Sequence, residues 1–238
     1  MEDFSQVFDY IIVGGGITGI TVARRLQQLG KTNFLLLEEG VASDAGGLCG
    51  TKNINGHVLD VGGGHFLHSK YPEVLEWIFD HIPQEDFNRF DTRVSIDLEG
   101  YPTEFPIELN LWRLPVDKQV EYLHSYLTAA NKNSPYENFE LWIKNYLGDK
   151  IADNYMIPYN QKLWCMDISE LSTDWLCKIP KTDIKLVLRS IIEKNANFTE
   201  QVVSHRSFYY PKYGGFQSIY NSIRKSVEDH VKHGEKVS

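Results

Sequence analysis

A glycine-rich turn between a strand and a helix constrains the fold of this chain more than any other feature. The turn Gly14-Gly15-Gly16-Ile17-Thr18-Gly19 follows the apolar run Tyr10 to Val13 and opens a helix-like stretch from Ile17 to Leu29. A second apolar run ends in Glu38, nineteen residues after Gly19. A strand, a G-x-G-x-x-G turn, a helix and an acidic residue at this distance form the fingerprint of a dinucleotide-binding Rossmann unit. The sequence therefore predicts an α/β fold that opens with such a unit.

Each part of this turn has a physical reason. Gly14 permits the tight turn, Gly16 lets a pyrophosphate approach the backbone, and Gly19 lets the helix pack against the sheet. The helix N-terminus offers N–H groups to the phosphates, and Glu38 accepts hydrogen bonds from ribose hydroxyls. A carboxylate there repels a 2′-phosphate, which argues against NADP. The cofactor-binding residues predicted in this opening are Gly14, Gly16, Ile17, Thr18, Gly19, Glu38 and Glu39.

Two further glycine clusters favour FAD over NAD. In a plain NAD domain the second strand leads into another helix and strand, whereas here Gly46-Gly47-Leu48 and Gly62-Gly63-Gly64-His65 follow the acidic residue. Such clusters let the backbone pass close to a flat, bulky group such as a flavin. The alternative is a pair of ordinary β-turns. The cofactor-binding residues predicted here are Gly46, Gly47, Leu48, Gly63, Gly64 and His65.

These segments resemble a known group of flavoproteins. The run from Phe8 to Gly16, then Leu37-Glu38 and Gly46-Gly47-Leu48, resemble the glutathione-reductase-type FAD fold of amine oxidases, protoporphyrinogen oxidases and UDP-galactopyranose mutases. Four further segments are similar to the mutase family in particular: Gly63 to Ser69, Tyr101 to Pro115, Ile157 to Trp164, and Tyr209 to Phe216. The family continues beyond the equivalent of Ser238, so the resemblance implies an incomplete FAD-binding domain with an inserted, mostly helical domain.

The resemblance also implies an activity and a set of site residues. It implies a flavoenzyme that uses reduced FAD to interconvert the pyranose and furanose forms of a UDP-sugar, for the synthesis of cell-surface polysaccharide precursors. His65 would lie beside the flavin as the catalytic residue. Glu108 stands where the family tends to have an amide side chain. The substrate-binding residues that the resemblance implies are Phe105, Tyr159, Asn160 and Trp164 for the uracil, and Lys178 and Lys181 for the diphosphate in place of an arginine.

Two other functions remain open from the residues alone. A flavin oxidase of the amine or protoporphyrinogen type would share Gly14 to Glu38 and the turn Gly214-Gly215. A truncated FAD-binding fragment without turnover would share them too. Tyr159 and Trp164 would then be ordinary core aromatics, and Lys178 would be a solvated surface lysine.

Charge and composition narrow the partners. The formal net charge is −8 with no basic run longer than a pair, which disfavours nucleic acid and anionic membrane surfaces. No apolar stretch approaches the ~20 residues of a membrane span, and the acidic start Met1-Glu2-Asp3 argues against a signal peptide, so a cytoplasmic location is expected. Three cysteines without a C-x-x-C spacing predict no metal site. The expected partner is the UDP-sugar, and a homo-oligomer is left open.

The pattern along the chain predicts three segments. Residues 1–70 are expected to form the first part of the FAD-binding domain, residues 71–200 a mostly helical substrate domain, and residues 201–238 a truncated return to the first domain. Within the helical segment, Phe90 to Ile96 and Tyr101 to Phe105 are predicted to form a hairpin around Glu99-Gly100. Ser207 to Tyr210 is predicted to be the returning strand.

Overall fold

A computed structural model of the chain describes residues 7–42, 46–130, 136–176, 179, 182–195 and 207–238. The chain divides into two compact units. The first unit comprises Met1–Asp91 and Ser207–Ser238, and the second comprises Thr92–Arg206.

The first unit contains most of the described strands. Its strands are β1 (Tyr10–Val13), β2 (Phe34–Glu38), β3 (Thr51–Ile54), β4 (His57–Asp60), β5 (Phe87–Asp91), β8 (Ser207–Pro211) and β9 (Val231–His233), and its helices are α1 (Ile17–Gln28), α2 (Pro72–Phe79) and α8 (Gln217–Arg224). The second unit is mostly helical. Its elements are β6 (Ser95–Leu98), β7 (Tyr101–Glu104), α3 (Ile107–Asn110), α4 (Val116–Ala130), α5 (Phe139–Ile151), α6 (Ile157–Trp164) and α7 (Ile184–Glu193).

A three-stranded parallel sheet positions the glycine-rich turn of the first unit. The strand order is β1-β2-β9, with Ile12 opposite Leu36 and Leu36 opposite Val231. Helices α1 and α8 pack together, and both belong to the cluster that buries Phe34 and Leu36 on one face of the sheet. Because side chains alternate along a strand, Phe34 and Leu36 point to the same face of the sheet, and this face packs into the core of the unit. The turn at Gly14–Gly16 lies at the carboxyl end of β1, where ligands bind in open α/β sheets.

Two antiparallel pairs complete the first unit. Strands β3 and β4 form a hairpin, and β5 pairs with β8 so that Phe87 lies opposite Pro211. The predicted strand Ser207 to Tyr210 is therefore confirmed, and it lies in the first unit as expected.

The second unit is held by one apolar core. Helices α4 and α5 pack along each other, and a π-helical turn at Ala152–Met156 joins α5 to α6. Gly148 breaks α5 with φ 78°, and a Cβ there would lie 2.5 Å from the carbonyl oxygen of Ser125. Only glycine therefore lets the two helices approach this closely. The largest buried side chains of the core are Trp142, Tyr122, Tyr126 and Phe139.

The structure differs from the sequence-based expectation in two places. The hairpin around Glu99-Gly100 exists, but its first strand begins at Ser95, because Phe90 lies in β5 and pairs with Phe208 of β8. The first unit runs to Asp91 rather than to residue 70, since residues of α2 and β5 pack into its core. The chain returns to it at Ser207.

Candidate cofactor and substrate sites

The turn between β1 and α1 leaves its backbone open. A Cβ added at Gly14 or at Gly16 would meet no atom within 4 Å. A Cβ at Gly19 would lie 2.0 Å from the carbonyl oxygen of Gly14, so helix and turn touch there. The first turn of α1, which begins at Ile17 and continues through Thr18, has no side-chain cap and no acidic residue. Its N–H groups lack intrahelical acceptors, so the turn has the geometry and charge of an anion site.

Glu38 ends β2 beside this turn. Its Oε2 accepts a hydrogen bond of 2.5 Å from the Gly15 N–H, and its Oε1 accepts one of 2.7 Å from the Gly40 N–H. A carboxylate offers about four lone-pair positions, so each oxygen can still accept a hydroxyl. The side chain is thus fixed by the backbone in a place that suits a ribose.

Glu39 has a different surrounding. It forms an ion pair of 2.7 Å with Lys236, and both side chains are largely exposed. Sequence reasoning grouped Glu39 with Glu38, but of the two it is Glu38 that backbone N–H groups fix, those of Gly15 in the turn and of Gly40 after β2.

The second and third glycine clusters lie together. Gly62 lies close to the exposed Leu48: a Cβ added at Gly62 would be 2.9 Å from Leu48 Cδ2. Gly46 packs on the ring of Tyr220, where a Cβ would lie 3.3 Å from Cδ1. By contrast, a Cβ at any of three other glycines of these clusters would meet no atom within 4 Å: Gly47, Gly63 and Gly64.

His65 carries a buried nitrogen that the described residues leave without a partner. Its Nδ1 has no hydrogen bond, and its ring lies 5.4 Å from the ring of Phe216, centroid to centroid. A buried polar atom without a partner costs about 1–3 kcal/mol, so a ligand that pairs with it would bind more tightly. His68, three residues further along, has an interaction of its own.

Asp60, at the end of β4, is a residue that sequence reasoning missed. Its Oδ1 accepts from the Thr51 hydroxyl at 2.7 Å and from the Phe216 N–H at 3.1 Å, and its Oδ2 accepts from the Tyr210 hydroxyl at 2.9 Å. The backbone N–H of His65 also donates to it. The available signal was an acidic residue placed between two apolar residues just before the third glycine cluster.

The hydrogen bonds to Asp60 set the protonation of the pair. Burial raises the pKa of Asp60, but the hydrogen bonds from Thr51, Phe216, Tyr210 and His65 outweigh burial and hold that pKa below its usual range. Burial, followed by the hydrogen bond to Asp60, raises the pKa of Tyr210 to about 12. At neutral pH, Asp60 is a carboxylate and Tyr210 is a neutral hydroxyl that donates to it.

The first unit thus fits a flavin dinucleotide. Its backbone is open at Gly14 and Gly16 beside a helix N-terminus, and it is open again at Gly63 and Gly64 next to the unpartnered nitrogen of His65. A pyrophosphate suits the first opening, and a flat ring with hydrogen-bonding edges suits the second.

In the second unit, Tyr155 lies between Phe105 and Tyr159, and sequence reasoning did not single it out. Phe105 and Tyr155 line a cavity of about 20 Å³, and the ring of Tyr155 stacks on that of Tyr159 at 5.4 Å. Tyr155 and Tyr159 are four residues apart, which places them on one face of a helical segment. That spacing was the signal that could have identified Tyr155.

Asn160 and Trp164 occupy different environments on α6. Asn160 is 4% exposed, and its Nδ2 donates to the Met156 carbonyl oxygen at 2.7 Å. Trp164 is 48% exposed and Tyr159 49%, so each keeps part of its ring free. Trp164 meets Trp175 edge-on at 6.1 Å. The structure therefore leaves two aromatic surfaces open on α6, while the Asn160 amide nitrogen is used inside the helix.

Glu108 is a buried acid in the same unit. It is 5% exposed, lines the cavity with Phe105, and accepts a hydrogen bond of 2.6 Å from the Thr182 hydroxyl. The Thr182 N–H donates to the hydroxyl of Tyr146. Burial raises the pKa of Glu108, although the hydrogen bond from Thr182 acts in the opposite direction. Raising the pKa favours the neutral acid, which donates and accepts like an amide.

Three further expectations concern the two lysines, a metal site and a membrane span. Lys178 and Lys181 lie outside the described residues. Within the described ranges, no three or more His, Cys, Asp or Glu side chains come together in a way that could hold a metal ion. Across the same ranges, no helix combines the length and the apolar character needed to cross a bilayer.

Several known proteins match this chain in sequence and in fold. Residues 12–82 match the family of NAD(P)-binding Rossmann-like domains. The UDP-galactopyranose mutase of Mycoplasma pneumoniae is 24% identical over 184 residues, which cover 72% of this chain and 44% of the mutase. A crystal structure of reduced UDP-galactopyranose mutase matches 95% of this chain and 48% of its own, with 26% identity and a TM-score of 0.79. Putrescine oxidase bound to putrescine matches 95% and 51%, with 18% identity and a TM-score of 0.54.

These matches confirm the Rossmann-like fold and the resemblance to UDP-galactopyranose mutases. They also relate the chain to enzymes of the oxidase type, in fold alone. The chain spans about half the length of the relatives that it matches.

Proposed function

We propose that the chain forms the FAD-binding and UDP-sugar-binding parts of a flavoenzyme of the UDP-galactopyranose mutase type. The observation that carries this proposal is the match to the solved mutase, which exceeds the match to putrescine oxidase in both identity and TM-score. The open glycines and the unpartnered His65 nitrogen support it independently.

The first unit would hold the cofactor. Gly14, Gly16 and the first turn of α1 would bind the pyrophosphate through N–H groups, and Glu38 would accept the ribose hydroxyls. Gly47, Gly63 and Gly64 would let the backbone approach the flavin ring. When bound and reduced, FAD would supply the nucleophile for the displacement of UDP from the anomeric carbon of the sugar.

The second unit would hold the nucleotide of the substrate. Tyr159 and Trp164 expose ring faces on which a uracil can stack. Phe105 and Tyr155 would support Tyr159 from behind. Lys178 and Lys181 would bring positive charge to the diphosphate.

An oxidase is the second candidate, because the fold also matches putrescine oxidase. It would take a hydride from its substrate and pass electrons to oxygen. A mutase produces no hydrogen peroxide, so the two candidates differ in a product that is easy to measure.

The experiment uses the protein that the complete gene encodes, saturated with FAD. The flavin absorbance of the protein after removal of free FAD shows whether the cofactor is bound. The protein is then incubated with UDP-galactofuranose, with and without dithionite, and the nucleotide sugars are separated by chromatography. A parallel sample without dithionite is assayed for hydrogen peroxide in the presence of amines.

The outcomes separate the candidates. Formation of UDP-galactopyranose only with the reductant is the expected result. A flavin spectrum without conversion would contradict the mutase, and peroxide with an amine would establish the oxidase instead. A chain that retains no flavin would overturn the proposal as a whole.

A further inference from the structure

The side chain of Asp60 joins four segments of the first unit. It accepts hydrogen bonds from Thr51 at the start of β3, from Tyr210 on β8 and from Phe216 just before α8. It also accepts from the backbone of His65. Two of these four donors are backbone N–H groups, so the carboxylate fixes the path of the chain and not only side-chain orientation.

The two backbone donors belong to residues whose rings meet. The His65 and Phe216 rings lie 5.4 Å apart at an interplanar angle of 35°. Asp60 therefore anchors both ends of one contact, and a shift of either backbone would turn the imidazole. The ring nitrogen in question is Nδ1 of His65, which is buried and has no partner among the described residues.

The Gly214-Gly215 turn is built around the same network. A Cβ at Gly215 would lie 2.4 Å from Thr51 Cγ2, so this turn packs directly against the residue that donates to Asp60. The Gln217 N–H donates to the Thr51 hydroxyl at 3.1 Å, and the Thr51 N–H donates to Gln217 Oε1 at 2.9 Å. The start of α8 is thereby locked to β3.

We propose that Asp60 is a positioning residue for the flavin: by holding the backbones of His65 and Phe216 on one carboxylate, it fixes the His65 imidazole for contact with the cofactor. This inference rests on the proposed function, because it assumes that a flavin occupies the openings at Gly63 and Gly64. Positioning groups of this kind act through the ligand that they orient, and their loss affects binding even when the fold survives.

The variant that tests this is Asp60→Asn. The amide oxygen can still accept from the Phe216 N–H and the Thr51 hydroxyl, so the fold is retained. The NH₂ group cannot accept, however, so one oxygen is left for donors that two carboxylate oxygens share in the wild type, and the hold on the backbone is loosened. Two controls are matched to it. Tyr210→Phe removes one donor of the network that is not on the His65 or Phe216 backbone, and Val227→Ala removes methyl groups from the buried core of the same unit.

Two quantities are measured for the wild-type chain and each variant. The first is the ¹⁵N chemical shift of the His65 imidazole by NMR without FAD, assigned by its loss in His65→Gln. The second is the Kd for FAD from quenching of flavin fluorescence. Asp60→Asn is expected to shift the His65 signal and to weaken FAD binding about 10-fold, while both controls keep the wild-type values.

Each possible result either supports or overturns the inference. An unchanged His65 signal in Asp60→Asn overturns the inference, whatever happens to FAD. The same Kd in wild type and Asp60→Asn, or an equal loss in Val227→Ala, also overturns it, since the effect would then be absent or would follow stability alone. No FAD binding by the wild type overturns the proposed function, and with it the flavin role of Asp60.

Discussion

The two units offer ligands different parts of the polypeptide. In the first unit, open backbone at Gly14, Gly16, Gly63 and Gly64 forms the candidate site. In the second unit the candidate site consists of side chains that stand out from a closed core, with Trp164 as the clearest case. A backbone site requires glycine at defined positions, whereas a side-chain site requires only a residue of suitable shape. This difference determines how each site responds to mutation and how readily its sequence reveals it.

The sheet of the first unit shows a second contrast, between its two faces. Leu36 is fully buried in the centre of the face that packs against the helices. Ile11 and Val13 on β1 point to the opposite face and are 61% and 64% exposed. Parallel sheets usually have both faces covered. In the described part of the chain, by contrast, this sheet is covered on one face only.

The largest predicted effect on stability comes from the difference between the buried and the exposed face of this sheet. Leu36→Ala should lower the free energy of unfolding by about 2–5 kcal/mol, because it opens a cavity in the core. Ile11→Ala, on the exposed face, should cost about 1 kcal/mol or less. Urea denaturation monitored by circular dichroism measures the loss of unfolding free energy in both variants. Equal losses would show that the outer face of β1 is covered in solution.

Two glycines of one turn should behave oppositely. Gly19→Ala should destabilise the chain by about 1–3 kcal/mol, because its Cβ would collide with the Gly14 carbonyl oxygen. Gly16→Ser should change the free energy of unfolding by less than about 0.5 kcal/mol, since the space is free and serine is a favoured residue at a helix N-cap. The same serine should weaken FAD binding at least about tenfold by blocking the pyrophosphate.

Thermal unfolding and FAD titration of both glycine variants check this pair. A Gly16→Ser chain that binds FAD like the wild type would place the pyrophosphate elsewhere. A stable Gly19→Ala chain would mean that the turn and α1 can separate without cost.

The glycine pattern explains why the first unit could be predicted from sequence. Because the tight turn and the close approach of a ligand to the backbone both require glycine, the order strand, turn, helix and Glu38 predicts both the fold and the location of the opening. Asp60 was missed because its role depends on contacts with Tyr210 and Phe216, about 150 residues away. No local spacing encodes a contact of that separation.

The second unit was harder to predict for a different reason. Trp142 and Trp164 both lie on helices of the second unit. Trp142 is nevertheless buried in the core, whereas Trp164 is half exposed. Helical periodicity places both on apolar faces and cannot tell which face the core covers. The shorter hairpin is a similar case, since the strand that contains Phe90 pairs with β8, far along the chain.

The pH dependence of stability should distinguish two acids of the second unit. Burial raises the pKa of Glu108, so between its unfolded value of about 4.3 and its folded value the folded chain binds more protons. Stability should therefore fall as pH rises through this range, by up to about 1.4 kcal/mol per pH unit. Glu108→Gln should remove this slope in unfolding free energies measured between pH 4 and pH 7.

Glu99 provides a control of opposite sign. The hydrogen bond from the Tyr122 hydroxyl, followed by that from Lys118, lowers the pKa of Glu99. Its contribution to stability is therefore present above the unfolded pKa and is lost as pH falls. Glu99→Gln should flatten the acidic side of the curve. Parallel curves for wild type and Glu108→Gln would show that Glu108 is not protonated differently in the folded chain.

The smallest predicted effect concerns the exposed indole of Trp164. Trp164→Ala should change the free energy of unfolding by about 1 kcal/mol or less, because half of the side chain is already in water. It should weaken the binding of UDP about tenfold, the equivalent of one lost aromatic stacking contact. Isothermal titration calorimetry with UDP measures this loss, and Trp77→Ala in the first unit is the control. If Trp164→Ala binds UDP normally but loses about 3 kcal/mol of stability, Trp164 is a core residue and the uracil site lies elsewhere.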